Sequence, residues 1–243
     1  MNEFSVLMSL VDYIPVILFA AATVILIRDL YNKMSKGAFA LFAAGTIDVI
    51  AAGFLKATYK LLYALAVCDF MKLSTVFFPM QSLGFMLAGL GILALLVHRQ
   101  TENPEKVKRS HVRACGAVTV IILIIAVMLL LLERNVDRTK TPEYFSGTFV
   151  FVTLMVLGLG FMDAGLSVMS CRVGRKGLVA LFVLSFFFSL CMGYLSSKNF
   201  EKASMNWIAE GVNTLGQGLL LAASVLLHRS GLEKLRLHGE EKV

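Results

Sequence analysis

Four polar side chains recur along one face of the last long apolar stretch of the chain. They are Glu210, Asn213, Thr214 and Gln217. Their spacing of i, i+3, i+4 and i+7 brings them to the same side of an α-helix. A carboxylate beside amides and a hydroxyl can hold an ion or hydrogen-bond a small polar solute. We therefore expect this stripe to face other protein segments rather than an apolar environment.

Further polar residues interrupt four other apolar stretches. They are Asp12, Asp48, Gln81 and Asp163. Counted from markers at the ends of their stretches, each lies eight or nine residues inside, as Glu210 does. At 1.5 Å per residue, this places all of them about 12 Å deep. The pattern predicts a shared pocket near the middle of a membrane, lined by Asp12, Asp48, Gln81, Asp163, Glu210, Asn213 and Gln217.

Two alternatives stay open for these residues. Polar side chains between membrane helices also serve as hydrogen-bonding contacts, each worth about 0.6 to 2 kcal/mol. Asp163 lies in the segment GLGFMDAG, whose small residues favour close helix packing as much as a binding site. Asp12 lies at the surface if the first helix begins later.

The composition of the chain shows why acidic residues within the apolar stretches are unusual. Apolar residues make up 58% of the chain, charged residues 16%, and the mean hydropathy is +0.78. Ordinary globular proteins contain roughly 45 to 50% apolar and about 25% charged residues, so a water-soluble fold is excluded. The apolar stretches long enough to cross a bilayer as helices are residues 4–27, 37–55, 73–97, 114–132, 144–171, 177–197 and 203–227.

The distribution of basic residues predicts the orientation of these spans. Of the 23 Lys and Arg residues, 15 fall in residues 28–36, 98–113 and 172–176 and in the tail that begins at residue 228. Basic loops mark the cytoplasmic side. We therefore expect a multi-pass protein of the cell membrane with its N-terminus outside and its C-terminus in the cytoplasm. The basic loops and tail are expected to contact lipid headgroups or a cytoplasmic partner. Nucleic acid is not an expected partner.

Residues 56–72, KATYKLLYALAVCDFMK, mix lysine, tyrosine and apolar side chains at the expected outer surface. Such a composition is typical of an interfacial helix, or of an extension of the second span beyond the bilayer. We assign no Lys or Arg to the depth of the acids. A neutral or cationic solute, with or without proton coupling, is therefore expected in the pocket.

Short sequence matches occur in the same order in two parts of the chain. KGAFALF at residues 36–42 matches KGLVALF at 176–182, and QSLG at 81–84 aligns with NTLG at 213–216. The matches predict a first three-helix repeat in residues 1–97 and a second in 144–228. We expect residues 98–143 to form a linker helix with its loops and residues 229–243 to form a tail. Four helices separate equivalent positions, so the repeats share one orientation.

This all-α, seven-helix, three-plus-one-plus-three plan resembles the topology of SWEET and PQ-loop transporters and, more loosely, of rhodopsins. The resemblance covers the topology across most of the chain and not the residues. The residues depart from both groups, because Pro79 and Gln81 are separated by Met80 and the last span has no lysine for a retinal Schiff base.

The chemistry excluded by the sequence narrows the function further. All four histidines lie at or beyond the expected cytoplasmic ends, so we expect neither a metal nor another cofactor. The chain has no P-loop and no rhomboid-type G-x-S-G segment, and an enzyme is not expected. The leading hypothesis is a transporter or channel, which could also form homo-oligomers. The alternative is a sensor or receptor that binds a ligand or lipid and signals to a cytoplasmic partner.

Overall fold

The computed structural model describes residues 5–31, 33–69, 73, 76–97, 147–195 and 203–232. Within these ranges the structure consists of helices, turns and short connections, and contains no strand. The helices are α1 (Val6–Val11), α2 (Tyr13–Leu30), α3 (Lys36–Ala64), α4 (Phe77–Val97), α5 (Gly147–Arg172), α6 (Leu178–Leu195) and α7 (Ala203–Arg229). The expected span at residues 114–132 lies outside the described residues.

Six spans of the described chain are long and apolar enough to cross a membrane. The first is Val6–Leu30, which combines α1 and α2, and the others correspond to α3 through α7. Their mean hydropathy ranges from 1.2 to 2.4. The described structure thus agrees with six of the seven expected spans, with bounds shifted by a few residues.

The largest difference from the sequence expectation is the length of α3. The sequence indicates a span at residues 37–55, whereas α3 has 29 residues and continues to Ala64. Residues 56–64 therefore extend the second span, one of the two structures expected for this segment. At its start, the Ser35 hydroxyl accepts a hydrogen bond from the Ala38 N–H at 3.2 Å, which caps the helix.

The helices α2 to α7 form a ring. Each helix contacts the next one in chain order, and α7 contacts α2. Most neighbours are antiparallel, but two pairs run in the same direction. In the α4 and α5 pair, Gly158 lies against Phe85, and seven residues further along both helices Gly165 lies against Ile92. In the α2 and α7 pair, Asp29 contacts His228 near the C-terminal end of both helices.

Glycines allow α4 to approach both of its neighbours closely. A Cβ added to Gly84 would lie 2.7 Å from the Gly45 carbonyl oxygen and 2.9 Å from the Val49 nitrogen on α3. On its other side, Gly89 lies against the backbone of Gly158 on α5. Small residues permit this kind of backbone contact between membrane helices. The helices α3, α4 and α5 therefore form a tightly packed wall of the bundle.

Replacing Gly84 by alanine should lower the free energy of unfolding by about 1 to 3 kcal/mol, because the new methyl group meets backbone atoms that cannot rotate away. Thermal unfolding of the detergent-purified protein measures the change. Gly218→Ala is the matched control, since a Cβ there has no atom within 4 Å. Equal melting temperatures for the two variants would contradict the close α3 and α4 contact.

Candidate functional site

A cleft lies between α2, α3, α4 and α7, in the half of the bundle where α2 begins. It encloses about 490 Å³ when the space open to solvent is counted. Its polar lining residues are Asp12, Lys56, Gln81, Glu210, Asn213 and Gln217. Five of the seven residues predicted from the sequence therefore meet at one place.

A lysine ties two of these acids together. The Lys60 Nζ lies 2.5 Å from Asp12 Oδ2 and 3.4 Å from Glu210 Oε1. The three side chains are only 5 to 8% exposed. Asp12 comes from the junction of α1 and α2, Lys60 from α3 and Glu210 from α7. This ion cluster therefore joins three separate helices of the ring.

The sequence expectation that no lysine lies at the depth of the acids is wrong. The lysine, tyrosine and leucine segment around Lys60 also fits an interfacial helix at the outer surface. In the structure α3 stays helical for two turns past Lys56 and carries Lys60 to the acids. The sequence offered one signal, the four-residue spacing of Lys56 and Lys60, which places both on one helix face.

Lys56 also lines the cleft, but in a different way. Its Nζ lies 4.1 Å from the centroid of the Phe77 ring at the start of α4. A cation above an aromatic face is attracted by the negative face of the ring. Among the described residues, no carboxylate lies within ion-pair distance of Lys56. Lys56 is therefore a basic lining residue that forms no ion pair in the described chain.

Three amides complete the polar lining. Gln81 of α4 and Asn213 and Gln217 of α7 border the cleft, while Thr214 is not among the lining residues. The side-chain oxygen of Gln217 is buried and has no hydrogen-bond partner within the described part of the chain. The same is true of Asp12 Oδ1, the carboxylate oxygen that Lys60 does not contact. Buried polar atoms are normally paired, so both oxygens are suited to an incoming donor.

Apolar side chains form the rest of the cleft wall. Phe19 of α2 and Phe85 of α4 both line it and meet edge to face, with ring centroids 5.5 Å apart. Val16, Val49 and Ile50 add aliphatic surface. The cleft thus combines charged and amide groups with a hydrophobic wall, as small-molecule sites commonly do.

The other two predicted residues lie elsewhere. Asp48 is half-buried and is not among the lining residues, although Val49 and Ile50 beside it are. The rotation of α3 turns Asp48 to another side of the helix, away from the cluster of Asp12 and Glu210. Asp163 on α5 is 3% exposed and does not line the cleft. Neither of its carboxylate oxygens has a hydrogen-bond partner within the described residues.

A second polar cluster lies at the opposite end of α2 and α7. His228 Nδ1 is 2.9 Å from Asp29 Oδ1, and Arg28 donates to His228 Nε2 at 2.8 Å. An imidazole with its proton on Nδ1 satisfies both contacts. The Asp29 side chain is fully buried. The interface between α2 and α7 is therefore closed by polar contacts at both ends.

Six helices long and apolar enough to cross a bilayer indicate a multi-pass membrane protein. The described residues contain no group of three or more His, Cys, Asp and Glu side chains that could hold a metal ion. Comparison with known proteins finds no matching family model, no matching curated protein and no matching solved structure. Function therefore has to be inferred from the side chains of the cleft.

Replacing Lys60 by methionine should destabilise the protein by about 3 kcal/mol or more, because Asp12 and Glu210 would stay buried without their cation. Thermal unfolding in detergent measures the loss. The triple variant Asp12→Asn, Lys60→Met, Glu210→Gln should regain most of the stability, because it removes all three charges of the cluster together.

Lys36→Met provides the control for this experiment. Lys36 lies on the same helix but is exposed in the first turn of α3. Its replacement should leave the melting temperature nearly unchanged. If Lys60→Met unfolds at the same temperature as Lys36→Met, the ion cluster does not support the bundle.

Proposed function

We propose that this chain is a multi-pass carrier of the cell membrane that binds a small polar solute in the cleft and moves it across the bilayer. The observation that carries the proposal is the convergence of charged and amide side chains from α2, α3, α4 and α7 on one cleft. Ionisable residues inside a membrane bundle are costly, and they commonly mark solute or ion pathways.

Unpaired oxygens support a binding role over a purely structural one. Polar side chains that only hold helices together would pair with one another. Asp12 Oδ1 and the Gln217 side-chain oxygen instead lack partners in the described chain, and both residues line the cleft. A bound solute with hydrogen-bond donors would satisfy both. The carboxylates of the cluster are held by Lys60, which favours binding over acid-base catalysis.

The polar stripe of α7 supports a path that continues beyond the cleft. Its residues recur at helical spacing from Glu210 through Gln217 to Ser224 and His228. Between them, Leu220 and Leu227 are fully buried. Apolar packing and the contact between Asp29 and His228 thus close the bundle beyond the cleft. A carrier that alternates between two open states requires such a closed end.

The proposed seven-span topology is supported by the direction of α4 and α5. Because these neighbours are parallel, the C-terminal end of α4 and the N-terminal end of α5 lie at opposite ends of the bundle. The sequence between them has to lead from one end of the bundle to the other, and a span at residues 114–132 would do this. With that span, the N-terminus outside and the C-terminus in the cytoplasm follow from the basic loops.

Equivalent contacts support the proposed repeat. Gly45 on α3 lies against Gly84 on α4. At the matching positions, the Ser185 hydroxyl on α6 donates to the Gly216 carbonyl oxygen on α7 at 3.1 Å. The two parallel helix pairs also occupy equivalent places in a ring made of two three-helix units. Repeats of this kind let one half move against the other around a central site.

Purified protein reconstituted into liposomes tests the carrier proposal. Four pools of labelled solutes are added on the side of the membrane where α2 begins. One pool is cationic, one anionic, one neutral polar and one zwitterionic. We expect saturable uptake from at least one pool, and its loss in Glu210→Gln. Binding of a pool member without any uptake would contradict transport and favour the sensor alternative.

The closed end of the bundle can be tested through Ser224, which is fully buried. In a protein whose native cysteines are replaced by serine, Ser224→Cys should be unreactive towards a membrane-impermeant thiol reagent added at the Arg28 side. Adding Asp29→Asn should raise the labelling rate about tenfold, the effect of losing a charged hydrogen bond worth roughly 1.5 kcal/mol. Asp69→Asn, at the opposite end, is the control. An unchanged rate in Asp29→Asn would show that this contact does not close the bundle.

A further inference from the structure

The charges of the cleft are balanced in number but separated in space. Asp12 and Glu210 share one cation, Lys60, so their cluster carries a formal charge of −1 when all three groups are ionised. Lys56 adds a charge of +1 on the same face of α3, one helical turn or about 6 Å away. The cleft therefore presents one net negative and one net positive position to a bound solute.

Each position has a group that forms no hydrogen bond or ion pair in the described chain. At the negative position it is Asp12 Oδ1. The Gln217 side-chain oxygen is a second unpartnered acceptor of the lining, about two helical turns beyond Glu210 on α7. At the positive position it is the Lys56 ammonium, which contacts the Phe77 ring but no carboxylate. The acceptors require a donor such as an ammonium group, and Lys56 requires an anion.

We propose that the solute is a small zwitterion, an amino acid with an uncharged, apolar side chain. Its carboxylate would pair with Lys56, and its ammonium group would donate to Asp12 Oδ1. The apolar wall of Phe19, Phe85 and Val16 would cover its side chain. The transport of this solute rests on the proposed function, whereas its binding does not.

The separated charges explain why singly charged solutes fit less well. A simple cation would satisfy Asp12 but would place a second positive charge near Lys56. A simple anion would pair with Lys56 but would face the surplus negative charge of Asp12 and Glu210. Only a solute with both charges compensates both positions. This replaces the sequence expectation of a neutral or cationic solute, which rested on the absence of lysine at this depth.

A matched ligand series tests the proposal on the purified full chain in detergent. Leucine carries both charges, leucinamide lacks the carboxylate, and 4-methylpentanoate lacks the ammonium group. We expect leucine to raise the melting temperature and to bind at least tenfold more tightly than either analogue. Equal binding of leucine and leucinamide, or no binding of leucine, would overturn the proposal.

Variants of Lys56 provide the second measurement. Lys56→Gln should weaken leucine binding at least tenfold and strengthen leucinamide binding, because the positive position is lost. Lys56→Arg should retain leucine binding, and the control Lys36→Gln should not affect either ligand. The gain for leucinamide shows that the variant is folded. Loss of both ligands in Lys56→Gln, or no change for either, would contradict the assigned role.

Liposome uptake separates this proposal from the carrier proposal. Leucine binding without uptake would support the zwitterion site and contradict transport. Saturable uptake of another class of solute, with leucine neither bound nor transported, would support a carrier and overturn the zwitterion site.

Discussion

The ion cluster of Asp12, Lys60 and Glu210 is the interaction on which the candidate site depends. A charge taken out of water is tolerated only when opposite charges and hydrogen bonds replace its hydration. Here one ammonium group satisfies two carboxylates from different helices. This pairing fixes the positions of α2, α3 and α7 along the bundle axis relative to one another. It also accounts for the continuation of α3 beyond its apolar stretch.

The cluster also sets the charge that the proposed solute would meet. Because Lys60 is shared, the acids keep a surplus of negative charge, and Lys56, one helical turn away on α3, adds a positive charge beside them. The two sides of the bundle differ in their packing. The wall of α3, α4 and α5 is held by backbone contact at glycines such as Gly45 and Gly84. The interface of α2 and α7 is held by polar side chains at its ends. A bound solute can replace polar contacts between helices. We therefore expect α2 and α7 to move relative to each other at this interface.

The ring arrangement links the cleft to the proposed transport. Two parallel helix pairs, α4 with α5 and α7 with α2, divide the described helices into two groups of three. Carriers built from repeats move one unit against the other around a site at their interface. The cleft lies where α7 of the second group meets α2, α3 and α4 of the first. A solute bound there would contact both groups, so its binding energy could influence their relative position.

The apolar composition and residue spacing by themselves determined that the chain folds as membrane-spanning helices, because length and hydropathy are local properties. They also placed Glu210, Asn213 and Gln217 on one face, since helical periodicity is fixed at 3.6 residues per turn. The tertiary structure decided which helices meet and how each is rotated. Rotation turned Asp48 away from the cleft, and contact between distant helices brought Lys60 to Asp12 and Glu210. Neither follows from local sequence, because a lysine near a helix end satisfies its charge equally well in water or beside a buried acid.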